Sequence, residues 1–294
     1  MLIGRRNGFD LTGEEIELIN AQVSPLIKKG QSPYHIKQSL GESLIISEST
    51  LRRMINNNEL DVRAIDLKEA VKRKPRRRRQ MKQELNSPSK AGHLYEDYLE
   101  YISENDCSIV EMDCVEGIKD DTCAILTLHL VSIHLQLYYI MPEHTSDCVV
   151  STLDMLEEAL GTDLFRNIFE LILTDNGHEF WNIADMERSI TSGTRTKIFF
   201  CEPNRSDQKG ACENNHKLFR CVVPKGTSID HLMQRDMVLI TNHVNSYKRK
   251  SLYGQSPYEL AARNLPEDFF VFLGLEIIPP EKVTLTPNLL KAPN

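Results

Sequence analysis

The chain has 294 residues, of which 40% are hydrophobic, and its formal net charge is −7. This length and composition are those of a globular protein with one large domain or two smaller ones. Seven cysteines, an odd number without a CxxC pair, argue against a secreted disulfide framework and against a zinc ribbon. The apolar stretch at residues 122–141 contains two histidines and a glutamine, so it is interpreted as two core strands and not as a membrane span. We therefore expect the chain in the reducing cytoplasm.

The first helix is predicted over residues 9–30. Thr12 and Glu15 form a capping-box pattern at its start, and apolar residues follow at helical spacing. Pro25 is expected to kink or end this helix, because proline cannot donate the backbone hydrogen bond.

Two short helices are predicted over residues 32–58, with Arg52 and Arg53 on the second. Such a pair joined by a tight connection fits a helix-turn-helix that binds DNA. A helical hairpin with a solvated basic face fits the pattern equally well.

Charge is divided unevenly along the chain. Residues 1–90 carry a net charge of +7 and the remaining residues carry −14, which indicates a basic part for a polyanion and a separate acidic part. The run KRKPRRRR, residues 72–79, places seven cations in eight positions and must be exposed. It is either a solvated linker or a linker that lies along phosphates and binds nucleic acid by counterion release.

Five strands follow. The segment IVEMDCVE alternates between apolar and acidic residues, as a half-buried strand does. Four further strands are predicted over residues 122–130, 133–140, 171–174 and 196–201. Helices are predicted over residues 145–160, 209–222 and 229–247, and another begins at Ser256. This order predicts a mixed α/β layer architecture.

Three acids stand out by their positions in these elements. Asp113 lies in the first strand, Asp175 ends the fourth strand, and Glu213 lies at the start of a helix. They are separated by 62 and 38 residues, so only the fold can bring them together. Mg²⁺ prefers a few carboxylate oxygens, and two such ions can promote phosphodiester displacement.

Several alternatives stay open on these patterns. Glu111, Glu116, Asp120 and Asp121 compete with Asp113, and Asp175 before Asn-Gly is also ordinary turn chemistry. The cations Lys217 and Arg220, spaced from Glu213 along one helix face, indicate either a salt-bridge stripe or a face aimed at phosphates.

Three stretches carry a resemblance to a known family. They are LILTDNGHEF, EPNRSDQKGACENNHKLFRCVVPKGT and NHVNSYKRKSLYGQSPYEL, and their TDNG, G-x-x-E-N, P-K-G-T and N-x-x-x-x-R-K-x-L motifs occur in order. Together they resemble the core of insertion-sequence-thirty-type transposases, which are bacterial D-D-E transposases. The resemblance implies a ribonuclease H-like, integrase-type core with a five-stranded mixed sheet and flanking helices, preceded by an all-α helix-turn-helix region.

The resemblance also implies the site. The three acids of the family map onto Asp113, Asp175 and Glu213, as catalytic residues and as ligands of Mg²⁺ or Mn²⁺, with two ions expected. The implied activity is metal-dependent DNA cleavage followed by strand transfer.

The expected partner is double-stranded DNA, both terminal inverted repeats and target, bound by a homodimer or a higher oligomer near the bacterial nucleoid and without a membrane. The residues expected to contact DNA are Arg52, Arg53, Arg76, Arg77, Arg78, Arg79, Lys217, Arg220, Lys225 and Arg249.

The predicted organisation has four parts. These are a helix-turn-helix region at 1–65, a basic linker at 66–95, the catalytic core at 96–225 and a helical extension at 226–294. Family members often carry an additional helix-turn-helix region, for which the residues before 31 leave little room. A catalytically silent, truncated copy that acts as a DNA-binding repressor is therefore the alternative.

Overall fold

The computed structural model describes residues 9–67, 90–203 and 205–291, without the side chains of residues 206, 207 and 211–215. The chain divides into two compact units, Met1–Lys74 and Pro75–Asn294. The four-part division with boundaries at residues 65, 95 and 225 stays a prediction.

The described part of the first unit is helical. Its helices are α1 (Gly13–Lys28), α2 (Pro33–Leu40) and α3 (Glu48–Asn56). Each begins at a hydroxyl side chain that accepts a hydrogen bond from the first turn, and at α1 Glu15 completes the predicted capping box by accepting from the Thr12 backbone at 2.7 Å. The three helices share one buried apolar core.

Of the two expected effects of Pro25, a kink or the end of the helix, the second is wrong, because α1 continues through Pro25 to Lys28; the kink stays a prediction. Leu26 and Ile27, which follow the proline, are both buried in the core of this unit. Their burial favours one more helical turn, which outweighs the loss of a single backbone hydrogen bond.

The second unit is built on a five-stranded mixed sheet in the order β3-β2-β1-β4-β5. The strands are β1 (Ile109–Glu116), β2 (Ala124–Leu130), β3 (Leu135–Met141), β4 (Leu171–Thr174) and β5 (Lys197–Phe200). The first three pair antiparallel, and β4 and β5 continue from β1 in parallel. This order and these directions define a ribonuclease H-like sheet, which confirms the predicted fold class.

Eight helices are described in this unit. They are α4 (Tyr95–Glu104), α5 (Ser146–Leu160), α6 (Thr162–Ile168), α7 (Ile183–Glu187), α8 (Gly210–Val222), α9 (Gln234–Asn245), α10 (Pro257–Asn264) and α11 (Glu267–Leu273). The sequence patterns predicted α5, α8, α9 and α10, and they did not predict α4, α6, α7 or α11. The first residue of α4 follows Leu94, whose side chain makes no capping hydrogen bond, so this helix lacks the usual start signal.

Helices cover both faces of the sheet. On one face Met112 of β1 packs in a core with Val149 and Leu153 of α5. On the other face Val115 of β1 packs with Phe219 of α8. Successive side chains of a strand point to opposite faces, so residues 112 and 114 of β1 belong to the α5 face and residues 113 and 115 to the α8 face.

Two observations bear on membranes and on disulfides. None of the helices in the described ranges is long and apolar enough to cross a membrane. Residues 122–141 contain strands β2 and β3, as predicted. The cysteines at positions 107, 114, 123, 148, 201 and 221 are free thiols.

A buried ionic network joins α5 to the strand-connecting segment before β5. The Arg195 guanidinium, which is fully buried, contacts Glu157 at 3.3 Å and Asp154 at 2.5 Å. Burial opposes ionisation of Glu157, but hydrogen bonds from the Ser189 hydroxyl and the Ile190 amide hold the pKa of Glu157 below its ordinary value. Glu157 therefore stays charged in the interior, and Arg195 compensates that charge.

Replacing Arg195 by Met is expected to destabilise the protein by about 3–5 kcal/mol, because Glu157 would be left as an unpaired buried charge. Urea unfolding followed by circular dichroism measures the loss. The control is Arg188→Met, which removes an exposed guanidinium from the same Asp154 and should leave the unfolding midpoint nearly unchanged. Equal midpoints for both variants would contradict the role given to Arg195.

Candidate active site

The sheet register brings Asp113 and Asp175 level with each other. Strand β1 pairs in parallel with β4 so that Glu111 lies beside Leu173, and two further residues along each strand give Asp113 and Asp175. Asp113 is still inside β1, whereas Asp175 comes directly after β4. The two acids therefore lie side by side on adjacent parallel strands, with Asp175 at the carboxyl end of β4 and Asp113 inside β1.

A lysine lies between these two acids. The Lys209 ammonium is 3.5 Å from Asp113 Oδ2 and 3.8 Å from Asp175 Oδ2, and it donates a hydrogen bond to the Met112 carbonyl at 3.0 Å. Lys209 is 5% exposed, so its charge acts at close range on both carboxylates. Its position relieves the repulsion that the two acids would otherwise exert on each other.

The two carboxylates thus share one cationic partner. Oxygen atoms that converge on one positive charge are the donor set that hard divalent cations prefer. The arrangement of Asp113 and Asp175 therefore fits a divalent metal ion, which would compete with the Lys209 ammonium for the same oxygens.

The environment of Asp175 raises the pKa of its carboxyl group above the ordinary value. Loss of solvation raises the pKa of Asp175, the charge of Lys209 opposes this rise, and the negative charge of Asp113 adds to it. One oxygen, Oδ1, accepts a hydrogen bond from the Gly177 amide at 2.9 Å. The tight Asn-Gly turn thereby orients the carboxylate toward Lys209.

Asp113 is oriented from its own strand and from α8. Its Oδ1 accepts from the Cys114 amide at 2.9 Å, and its Oδ2 is 3.9 Å from His216 Nδ1. The His216 ring also contacts the Thr127 hydroxyl at 3.0 Å, which ties α8 to β2. Glu213 belongs to α8, one helical turn before His216, and its side chain lies outside the described residues.

A cleft of about 310 Å³ opens at this edge of the sheet. It is lined by Asp113, Cys114, Glu116, Gly117, His144, Asp175, Glu179, Arg220 and Lys225. Two of the predicted catalytic acids and two of the predicted DNA-contacting cations therefore share one concave surface.

The cations predicted on and after α8 have different environments. Arg220 is half-buried and donates to the Glu116 carbonyl at 2.7 Å, and burial lowers the pKa of its guanidinium while Glu116 opposes this. Lys217 and Lys225 are exposed. Arg220 and Lys225 both line the cleft, where they can meet an anionic ligand.

Arg249 does not line the cleft. Burial lowers the pKa of its guanidinium to about 10, and its Nη2 is 3.5 Å from the Val244 carbonyl. Its side chain is partly exposed and lies near the β2–β3 turn, where burial of His134 and then the charge of Arg249 lower the pKa of that histidine. A phosphate contact by this residue stays a prediction.

The predicted DNA-contacting residues of the first unit are exposed. Arg52 pairs with Glu48 at 2.8 Å, and the Arg53 guanidinium lies 4.4 Å from the centre of the Phe9 ring. The arginines at positions 76–79 lie outside the described residues.

A second polar group lies at the same end of β1, on its α5 face. The ring of His144 places Nε2 at 2.9 Å from Glu179 Oε1 and Nδ1 at 3.3 Å from Glu116 Oε1. The Glu179 carboxylate folds back over Gly177, where a Cβ atom would lie only 2.6 Å from the carboxyl carbon. A side chain at position 177 would displace that carboxylate, which explains the glycine.

Sequence patterns did not identify Lys209, His144 or Cys114 as site residues. Lys209 lies four positions before Glu213, and His144 directly precedes the cap of α5, but neither position has a local signal for burial beside an acid. Their roles arise from contacts between elements that are far apart in the chain.

The chain is similar to transposases over part of its length. It is 32% identical over 91 residues to the transposase for insertion sequence element IS1086 of Cupriavidus metallidurans, which covers 31% of this chain and 26% of that protein. It is 32% identical over 76 residues to the transposase InsI for insertion sequence element IS30A of Escherichia coli, which covers 26% of this chain and 20% of that protein. The matched segments thus span about a quarter or less of these curated relatives. No family model matches the chain.

Among solved structures, the chain is similar to the catalytic core domain of BIV integrase. The alignment covers 53% of this chain and 95% of that domain, with a TM-score of 0.39 and 17% identity. The strand order and directions, and not this overlap, define the fold. The curated relatives confirm that the resemblance seen in the sequence is to insertion-sequence transposases.

Replacing Glu179 by Gln is expected to lower the pKa of His144. The Glu179 carboxylate, 2.9 Å from Nε2, raises the pKa of His144 above its ordinary value although burial opposes this rise, so loss of the carboxylate charge removes the main cause. Nuclear magnetic resonance titration of the imidazole, in a buffer with EDTA, measures the shift.

The pair of His144 and Glu179 also makes the stability of the folded protein depend on pH. Because the folded-state pKa of His144 is raised, its contribution to stability is fully present below the unfolded pKa of about 6.5 and is lost as the pH rises through the folded value. An unchanged His144 titration in the Glu179→Gln protein would contradict this assignment.

Proposed function

We propose that this chain is an insertion-sequence transposase that binds terminal inverted repeats and catalyses DNA cleavage and strand transfer. The observation that carries the proposal is the convergence of Asp113 and Asp175, on two adjacent parallel strands, on the ammonium of Lys209. The partial similarity to curated transposases supports the same activity.

In this proposal Asp113, Asp175 and Glu213 would hold Mg²⁺ or Mn²⁺, with two ions as the expected number. Bound ions of this kind supply Lewis acidity for displacement at phosphorus. The two described acids supply oxygen donors on rigid elements, as such a site requires. Lys209 keeps them together before a metal ion binds, because its ammonium compensates their negative charges.

The proposed reaction has two displacements. Water attacks a phosphodiester at the end of the element and releases a 3′-hydroxyl, which then attacks a phosphodiester of the target DNA. Neither displacement uses a covalent protein–DNA intermediate, so no serine or tyrosine nucleophile is required. Arg220 and Lys225 line the cleft beside the acids, where they are placed to contact phosphates.

The first unit would recognise the terminal repeats through residues 32–58, with Arg52 and Arg53 on the exposed surface of α3. The arginines at positions 76–79, with Lys217 and Arg249, are proposed as further phosphate contacts. Since two DNA ends must be brought together, the active species would be a homodimer or a higher oligomer.

Two alternatives keep part of this function. A catalytically silent copy would bind the repeats and act as a repressor, and a nuclease would cut without joining. Incubation of the protein with a labelled terminal-repeat duplex, target DNA and Mg²⁺ separates the three. Joined product supports the transposase, cut product alone supports the nuclease, and a shifted but intact duplex supports the repressor.

Replacing Asp175 by Asn should abolish cutting and leave DNA binding nearly unchanged, because an amide is a much weaker metal ligand but keeps the shape of the side chain. Gel electrophoresis of the labelled duplex measures cutting, and a mobility shift measures binding. The control Asp163→Asn alters an exposed acid on α6 and should keep both activities. Equal loss of cutting and binding in the Asp175 variant would count against the metal role.

Replacing the four arginines at positions 76–79 by Ser should weaken binding to all DNA sequences alike. The slope of log K against log salt is negative, and each lost phosphate contact reduces its magnitude by about 0.9, so the magnitude should fall by up to about 3.6 for four arginines. Fluorescence anisotropy with repeat and unrelated duplexes at several salt concentrations measures both effects. A loss confined to the repeat sequence would show that these arginines read bases.

A further inference from the structure

The α5 face of β1 carries a donor set that differs from the pair of aspartates. Cys114, His144 and Glu179 each offer a ligand atom, and these three atoms all lie within 4.8 Å of one another. They come from three different elements, since Cys114 is in β1, His144 precedes α5 and Glu179 lies in the short 3₁₀ turn His178–Phe180.

We propose that Cys114, His144 and Glu179 form a binding site for a borderline-soft divalent cation of the Zn²⁺ class. A thiolate, an imidazole and a carboxylate are the ligands that Zn²⁺ takes in proteins, and three protein ligands leave one coordination position open. Mg²⁺ prefers an all-oxygen set, so this site and the Asp113–Asp175 pair select different metals.

The distances between the three ligand atoms allow a tetrahedral metal site after a small movement of the side chains. Metal bonds of about 2.0–2.3 Å place neighbouring ligand atoms about 3.5 Å apart. His144 Nε2 and Glu179 Oε1 are already 2.9 Å apart, and the greatest separation in the group is within 4.8 Å. A shift of about 1 Å, within reach of side-chain rotation, completes the geometry.

The surroundings of His144 match those of a metal-bound histidine. Such a histidine commonly directs its second ring nitrogen to a carboxylate, which fixes the orientation of the ring. Here Nδ1 of His144 lies 3.3 Å from Glu116 Oε1, while Nε2 faces Glu179. The His178 ring packs at 5.1 Å against the His144 ring, and its Nε2 contacts the His144 carbonyl at 3.1 Å.

The carboxylate is also held in place. Glu179 is 6% exposed, and the absence of a side chain at Gly177 lets its carboxylate fold toward Cys114 and His144. Without a cation, His144 and Glu179 form an ion pair when the imidazole is protonated. With a cation, the imidazole is neutral and the Cys114 thiol loses its proton to solvent, so binding converts Cys–SH and M²⁺ into Cys–S⁻–M²⁺ and H⁺.

A cation reaches this site through the cleft already described. All three ligands line it together with Asp113 and Asp175. An occupied site adds positive charge to the wall of the cleft next to the pair of aspartates. Cation binding at this site does not depend on the proposed transposase activity, because it requires only the three ligands.

Titration of the full-length, metal-free protein with Co²⁺ tests the proposal, since Co²⁺ replaces Zn²⁺ and reports a thiolate ligand by a charge-transfer band in the near ultraviolet. We expect one equivalent of Co²⁺ to produce this band and a slight excess of Zn²⁺ to remove it, whereas Mg²⁺ leaves it unchanged. Cys114→Ser should abolish the band, and the matched control Cys107→Ser, at the opposite end of β1, should keep it.

Two further variants keep the test decisive if Cys114→Ser does not fold. Glu116→Gln should weaken Zn²⁺ binding about tenfold, because the carboxylate that faces Nδ1 of His144 and orients its ring is lost. Asp113→Asn should keep the band, because that acid lies on the other face of the strand. No band in the intact protein, a band of full intensity without Cys114, or a band lost with Asp113 would each overturn the site.

Discussion

The proposed active site depends on the register between two parallel strands. Ile109 pairs with Leu171, an offset of 62 positions, and the same offset separates Asp113 from Asp175. A slip of one residue would turn one of the acids to the opposite face of the sheet. Buried side chains on both faces hold the register, so the free energy of core packing determines the separation of the two carboxylates.

Toward its carboxyl end, strand β1 carries different metal-binding groups on its two faces. Asp113 faces α8 with hard oxygen donors and the Lys209 ammonium nearby, whereas Cys114 faces α5 with sulfur, nitrogen and oxygen donors. This separation follows from the alternation of side chains along a strand. Both groups line one cleft, so a single concave surface combines the two proposed metal sites.

Charge presents a constraint on the proposed DNA binding. The chain after residue 90 carries a net charge of −14, which repels a polyanion at long range. Close to the acids, Lys209 offsets the negative charge, and Arg220 and Lys225 line the cleft. Local cations would therefore position phosphates at the site, and the basic residues of the first 90 would provide most of the attraction.

The sequence alone determined the five strands and most helices, since alternation, helical spacing and hydroxyl caps are local properties, and its motifs indicated Asp113 and Asp175. Tertiary structure decided what no local pattern encodes: the burial of Lys209 between those acids and the meeting of Cys114 with His144. It also extended α1 past Pro25, because the burial of Leu26 and Ile27 in the core outweighed the tendency of proline to end a helix. Contacts between residues far apart in the chain are specified by the packing of whole elements, which spacing along the sequence does not reveal.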